Sequence, residues 1–172
     1  MRRVLLLLRH AKAKRGDPGG DDFDRALNGR GRAAASEIAR AMRAAGLKPD
    51  LALCSPSRRT RETWDLVGAA IDYSGPSRYE PALYLADRNK LLEALHRAPD
   101  SARAIAVIGH NPGLGELAAA LAGKGRAEAL EAMRAKFPTG ALAVITFDAA
   151  HWRDLAPGGG TLDRYLKPAD LS

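Results

Sequence analysis

The chain has 172 residues, of which 46% are hydrophobic, 27% charged and 5% aromatic, and its formal net charge is +7. That size and balance suit one globular domain over residues 1–172 and exclude a disordered or fibrous chain. A single cysteine, Cys54, excludes an internal disulfide framework and a cysteine-rich zinc site, while the basic excess favours anionic partners.

Met1-Arg2-Arg3 followed by Val4-Leu5-Leu6-Leu7-Leu8 imitates a secretory signal, but Arg9 ends the apolar run too soon. No window approaches the roughly 18 apolar residues of a membrane span. A cytoplasmic protein with no membrane partner is the expectation. The arginines form no basic block and are not interleaved with aromatics, so no nucleic-acid partner is expected either.

In chain order, residues 3–8 predict a strand buried on both faces. Ala11 to Arg25 is a polar loop with Gly16, Pro18, Gly19 and Gly20, long enough to be functional. Asn28 predicts the N-cap of a helix of about 18 residues, with Ala35, Ile38, Ala39 and Met42 on its apolar face and Gly46 at its end. Leu51-Ala52-Leu53-Cys54 is a short strand with Cys54 in the core. Ser55 and Pro56 predict the N-cap and first position of a second helix, whose apolar face uses Trp64, Val67 and Ile71. A Gly75-Pro76 break leads to Ala82-Leu83-Tyr84-Leu85, and Asp87 caps a short helix through His96.

Ala104 to Ile108 predicts another buried strand, ending in Gly109-His110-Asn111-Pro112. Asn111 and Pro112 start a helix with Leu114, Leu117, Ala118 and Leu121 on its apolar face. Ala141 to Phe147 is a further strand, and His151 to Leu166 predicts a weak hairpin around Pro157-Gly158-Gly159-Gly160. Strands alternating with amphipathic helices predict an α/β fold: a three-layer αβα sandwich with a largely parallel central sheet.

Three of these strands end in related polar groups: Arg9-His10, then Ser55-Pro56-Ser57-Arg58-Arg59, then His110. Parallel neighbours would place these ends on one edge of the sheet, where open α/β sheets bind ligands. Histidines among arginines suit phosphoryl transfer. A neutral imidazole can attack phosphorus and split one hard displacement into two easier ones. Arginine stays charged and binds two phosphoryl oxygens with its planar fork. No His-Glu-x-x-His or paired-cysteine pattern is present, so neither a metal nor another cofactor is expected. His96 and His151 lack partner motifs and read as surface residues.

The ordered set Arg9-His10-Ala11, Ser55-Pro56-x-x-Arg59-x-x-x-Thr63 and Gly109-His110-Asn111-Pro112 resembles the histidine phosphatase superfamily, with its phosphoglycerate mutase-like fold. Ala11 stands where the family usually has glycine, which looks like the SixA-type phosphohistidine phosphatases. The short chain and Leu83-Tyr84-Leu85-Ala86-Asp87 look like the same branch. Asp24-Arg25-Ala26-Leu27-Asn28-x-x-Gly31 resembles the family's Arg-Pro-Leu-Thr-x-x-Gly segment, with Ala26 and Asn28 as departures. The resemblance implies His10 as the phosphorylated nucleophile, Arg9 and Arg59 as clamps on the phosphoryl oxygens, and His110 as a donor to the same oxygens. Arg25 and Lys12 would line a basic mouth. Arg58 and Arg61 flank Arg59, but the spacing from Ser55-Pro56 selects Arg59.

Larger members of the family carry a glutamate that protonates the leaving oxygen. Ala82 stands at the matching place, with Glu80 nearby and out of register. An alkoxide leaving group needs a general acid, whereas a labile N–P bond depends on one less. The resemblance therefore implies hydrolysis of phosphohistidine in a partner protein through a phospho-His10 intermediate. Two alternatives are a phosphomonoesterase acting on a small phosphorylated metabolite, with Glu80, Asp87 or another carboxylate as acid, and a catalytically silent phosphate-binding module.

Overall fold

A computed structural model describes residues 1–171. Its strands are β1 (Arg2–Arg9), β2 (Leu51–Cys54), β3 (Ser77–Tyr79), β4 (Ala104–Gly109), β5 (Ala122–Gly125), β6 (Leu142–Asp148) and β7 (Gly160–Leu166). Its α-helices are α1 (Gly29–Ala44), α2 (Arg58–Ala70), α3 (Arg88–His96), α4 (Gly113–Leu121) and α5 (Ala127–Ala135). The strands form one seven-stranded sheet in the order β3-β2-β4-β1-β6-β7-β5.

The leucine run of β1 is continuous because the sheet is covered on both faces. Leu5 and Leu7 point into one core with α3 and α4, among Leu91, Leu95, Leu114 and Leu117. Leu6 and Leu8 point into the other with α1 and α2, among Ile38, Met42, Trp64 and Val67. These three layers match the fold read from the sequence, and Cys54 is buried in the second core.

Strands β3, β2, β4 and β1 run parallel, in register from Leu5 against Ile105 to Arg9 against Gly109. Their carboxyl ends therefore share one edge. The parallel set stops at β1, because β6 pairs antiparallel to β1 and β7 antiparallel to β6. Beyond them β5 runs parallel to β7. Among the described residues, no helix is long and apolar enough to cross a membrane.

Several local expectations hold, and others shift. Asn28 caps α1 by accepting from the Gly31 amide at 2.8 Å, and Asp87 caps α3 by accepting from the Lys90 amide at 2.9 Å. Helix α1 has 16 residues, closing near Gly46 as the pattern suggested. Its Gly31 packs on the 11–25 loop so closely that a Cβ there would lie 2.0 Å from the Lys12 carbonyl oxygen. Helix α2 starts at Arg58, so Ser55 and Pro56 lie before it and Ser55 is not its cap. Helix α4 starts at Gly113, although the Asn111 side chain still accepts from the Gly115 amide at 3.1 Å.

The tail is not a hairpin closed on itself. Trp152 is fully buried, and its indole donates to the Ala102 carbonyl at 2.6 Å. That anchor leaves residues 152–154 as a single 3-10 turn, and residues 160–166 pair with β6 instead. Gly160 admits the crossing, because a Cβ there would lie 2.5 Å from Ile145 Cγ2. His96 is half-buried rather than exposed, with Nε2 donating to the Leu155 carbonyl at 2.9 Å. His151 is also half-buried, and pairs with Asp100 at 2.7 Å.

Candidate active site

At the carboxyl edge the parallel strands deliver Arg9 and His10 from β1, Ser55 from β2 and His110 from β4. The first turn of α2 adds Arg59 from above. His10 is 8% exposed, and Arg59 and His110 are each 3% exposed. The imidazole centroids of His10 and His110 lie 5.3 Å apart. A cavity of about 330 Å³ opens over them.

Backbone groups set the tautomer of His10. Its Nδ1 lies 2.8 Å from the Ala11 carbonyl oxygen, which can only accept, so Nδ1 carries the proton. The lone pair then sits on Nε2. The ring is held in turn by the Thr63 hydroxyl, which accepts from the Ala11 amide at 3.0 Å and donates to the Arg59 carbonyl at 2.7 Å. Burial pushes the His10 imidazole down to about 4; the nearby Arg59, Arg9 and Arg25 push the same way, against the hydrogen bond to Ala11. Burial pushes His110 down to about 3, with His10, Arg59 and Arg9 adding to it and Asp22 opposing. Both rings are therefore neutral at pH 7.

The two arginines are only partly satisfied. Arg9 Nη1 donates to the Phe137 carbonyl at 3.0 Å. Arg59 Nη1 donates to the Asp22 carbonyl at 2.8 Å, and its Nη2 to the Asp22 carboxylate at 3.1 Å. The same Nη2 lies 3.3 Å from His110 Nδ1. The Nε–H of each arginine is buried without a hydrogen-bond partner. A buried unpaired donor costs about 1–3 kcal/mol, so two beside one small cavity mark a place built for an oxygen-rich anion.

The structure also brings Lys12 and Arg25 to the cavity mouth. Arg25 is anchored there by the Lys14 carbonyl at 2.8 Å and Asp22 at 2.9 Å. Arg58 and Arg61 point away: Arg58 pairs with Glu62 at 3.2 Å, and Arg61 holds the Pro56 carbonyl at 2.8 Å. None of the cavity-lining residues is an aspartate or glutamate. Ala82 is exposed, and Glu80 and Asp87 stand outside the lining.

Sequence reasoning missed two neighbours of the site. Ser55 is fully buried, with Oγ 2.7 Å from His110 Nε2. A serine before a proline at a strand end reads as a helix cap, and only the pairing of β2 with β4 reveals its other use. Asp22 is one of the aspartates of a polar loop, and nothing in its spacing sets it apart.

Known proteins share this architecture. The sequence model of the histidine phosphatase superfamily (branch 1) matches residues 5–84. An uncharacterised Mycobacterium tuberculosis protein is 37% identical over 163 residues, covering 94% of this chain and 99% of the relative. SixA from Nakamurella multipartitia superposes with a TM-score of 0.84 at 28% identity, over 98% of this chain and 97% of that one. SixA from Agrobacterium tumefaciens gives 0.82 at 30% identity, over 96% and 98%. A protein histidine phosphatase SixA complexed with tungstate gives 0.79 at 23% identity, over 98% and 99%, a likeness of fold. Motif order, sheet topology and these matches lead to one conclusion: the chain belongs to the histidine phosphatase superfamily, as a phosphatase of its SixA type.

Proposed function

We propose that this phosphatase removes the phosphoryl group from phosphohistidine in a partner protein, without a metal, through a covalent phospho-His10 intermediate. One observation carries the reading: a neutral His10 with its lone pair on Nε2 shares a small cavity with the unpaired Nε–H groups of Arg9 and Arg59, and no carboxylate lines that cavity.

In the first step His10 Nε2 attacks phosphorus, a new N–P bond forms, and the bond to the substrate nitrogen breaks. The leaving imidazole departs neutral when its other ring nitrogen already carries a proton. Arg9 and Arg59 hold the equatorial oxygens, where charge must be neutralised while the phosphoryl passes in line. In the second step water attacks the phosphorus, the Nε2–P bond breaks and inorganic phosphate leaves with the water's oxygen. Neither step needs a carboxylic acid. The carboxyl bound to Arg59, that of Asp22, is held well below the usual range by its hydrogen bond from Tyr84, with Arg25 and Arg59 adding to it, so it has no proton to give. The SixA proteins at 28% and 30% identity bear the name of phosphohistidine phosphatases, which agrees with this substrate class. The buried, unpaired Cys54 suits a reducing cytoplasm.

The test is turnover of a ³²P-labelled phosphohistidine protein beside a panel of sugar and nucleoside phosphates. The expected result is faster release from the phosphohistidine protein, with an acid-labile label on the enzyme that His10→Ala abolishes. Faster turnover of a small phosphate ester would overturn the substrate. Persistence of label and activity in His10→Ala would overturn the intermediate. Phosphate binding without any turnover would leave a silent binding module.

A further inference from the structure

Asp22 lies in the 3-10 turn Asp22–Asp24 of the 11–25 loop, far in sequence from every group it binds except Arg25. Its carboxylate accepts from Arg59 Nη2 at 3.1 Å, from Arg25 Nη1 at 2.9 Å and from the Tyr84 hydroxyl. Its carbonyl accepts from Arg59 Nη1 at 2.8 Å. Tyr84 in turn packs edge-on against His110, with centroids 5.5 Å apart, and against Phe23 at 5.1 Å.

A guanidinium offers two bidentate edges, the terminal pair Nη1/Nη2 and the side pair Nε/Nη2. Asp22 occupies the terminal edge of Arg59 with two oxygens. What remains is the side edge, whose buried Nε–H has no partner and whose Nη2 lies 3.3 Å from His110 Nδ1. We infer that Asp22 is a positioning residue: it binds the terminal edge of Arg59 so that the side edge faces the phosphoryl oxygens, and Tyr84 holds the Asp22 carboxylate in that pose. The inference rests on Arg59 acting as a phosphoryl clamp. Asp22 touches neither phosphoryl nor nucleophile, and its permanent negative charge suits an orienting anion rather than an acid. The 11–25 loop thereby reaches Arg59 through Asp22, beside the Lys12 and Arg25 that it brings to the cavity mouth.

The consequence is energetic coupling between Asp22 and Arg59. Misplacing a clamp by about 1 Å costs on the order of 100-fold in rate. Asp22→Asn is therefore expected to slow phosphorylation of His10 by phosphoramidate about 10- to 100-fold. In an Arg59→Lys background, which has no side edge to orient, Asp22→Asn is expected to cost less than about twofold more. Tyr84→Phe keeps the ring on His110 and is expected to cost about fivefold, the worth of one hydrogen bond.

A binding readout separates this inference from the substrate reading. Inorganic phosphate is titrated against the arginine Nε–H resonances of the whole chain. In the parent protein both the Arg9 and Arg59 signals are expected to shift. In Asp22→Asn the Arg9 signal still shifts and the Arg59 signal does not. Equal Arg59 responses in both proteins, or rate losses that simply multiply in the double variant, would overturn the positioning role. If no phosphohistidine substrate is turned over, the titration still decides the role of Asp22.

Discussion

Two arginines stand at opposite ends of β1 and have opposite fates. Arg3, at the amino end, is 1% exposed, and its guanidinium is saturated. Nε donates to the Ala149 carbonyl at 3.1 Å, Nη1 to those of Asp100 and Ala102 at 3.0 and 3.1 Å, and Nη2 to that of Ala150 at 2.5 Å. The Trp152 ring lies 5.4 Å from its carbon centre. Arg9, at the carboxyl end, makes one hydrogen bond and leaves its buried Nε–H unpaired. Arg3 is buried and Arg9 half-buried, so depth alone does not set their roles. Residual donor capacity facing a cavity is what separates a clamp from a staple.

The comparison breaks first at Arg9. Removing one well-placed donor to a developing oxyanion costs about 2.7–4 kcal/mol. Arg9→Ala is therefore expected to lower kcat for phosphohistidine about 100- to 1000-fold, while the denaturation midpoint stays close to the parent's. A kcat loss below tenfold would mean that Arg9, like Arg3, serves the fold.

Arg3→Ala should show the reverse pattern. It strands the carbonyls of Asp100, Ala149 and Ala150, and leaves that of Ala102 with the Trp152 indole alone. Leaving buried acceptors unsatisfied costs about 1–3 kcal/mol each, less where water enters, so a loss of about 3 kcal/mol is expected in urea unfolding. The folded fraction should keep the parent's kcat. A variant of normal stability and poor activity would erase the distinction.

Sequence patterns made the Arg9 end of β1 legible and the Arg3 end opaque. Val4 to Leu8 announces a strand buried on both faces, and the polar residues after β1, β2 and β4 announce one edge. Arg9, His10, Arg59 and His110 are each local events at a strand end or a helix start, so parallel pairing alone assembles them. Arg3 depends instead on residues 149–152, which only the folded chain brings near. The same long-range contact pins Trp152 and turns an apparent hairpin into a 3-10 turn followed by β7. Strand β5, Ala-Gly-Lys-Gly, has no alternation and exists through its pairing with β7. Asp22 was hidden for a similar reason: its three partners lie on three separate stretches of chain, and composition cannot choose among the aspartates of the loop.

The cationic edge also predicts how stability depends on pH. His10 and His110 are held neutral in the folded state down to about 4 and about 3, whereas unfolded histidines take up a proton near 6.5. Below pH 6.5 the unfolded state binds more protons, so stability falls as the pH falls towards 4. The slope reaches about 1.4 kcal/mol per pH unit for each histidine. His10→Gln is expected to flatten the loss between pH 6 and 4.5 in urea titrations. An unchanged slope would mean that His10 titrates near its ordinary value despite Arg9 and Arg59.

The smallest expected effect lies at Ser55. Arg59 Nη2 and the Ser55 hydroxyl face opposite nitrogens of His110. A guanidinium can only donate, so with the site empty Nδ1 accepts from Arg59 and Nε2–H donates to Ser55 Oγ. In the proposed mechanism an arriving phosphoryl group would draw the Arg59 donors to its oxygens and ask His110 for a proton at Nδ1. The Ser55 hydroxyl can turn from acceptor to donor and so support the other tautomer, which a carboxylate or carbonyl in its place could not. Ser55→Ala removes that freedom and leaves Nε2 buried beside a methyl group. The expected cost is about 1 kcal/mol, a fivefold fall in kcat, with Ser55→Cys intermediate. Because Ser55 caps no helix, α2 should keep its stability, and a fall in the unfolding midpoint without a fall in kcat would assign Ser55 to the fold, on the Arg3 side of the comparison.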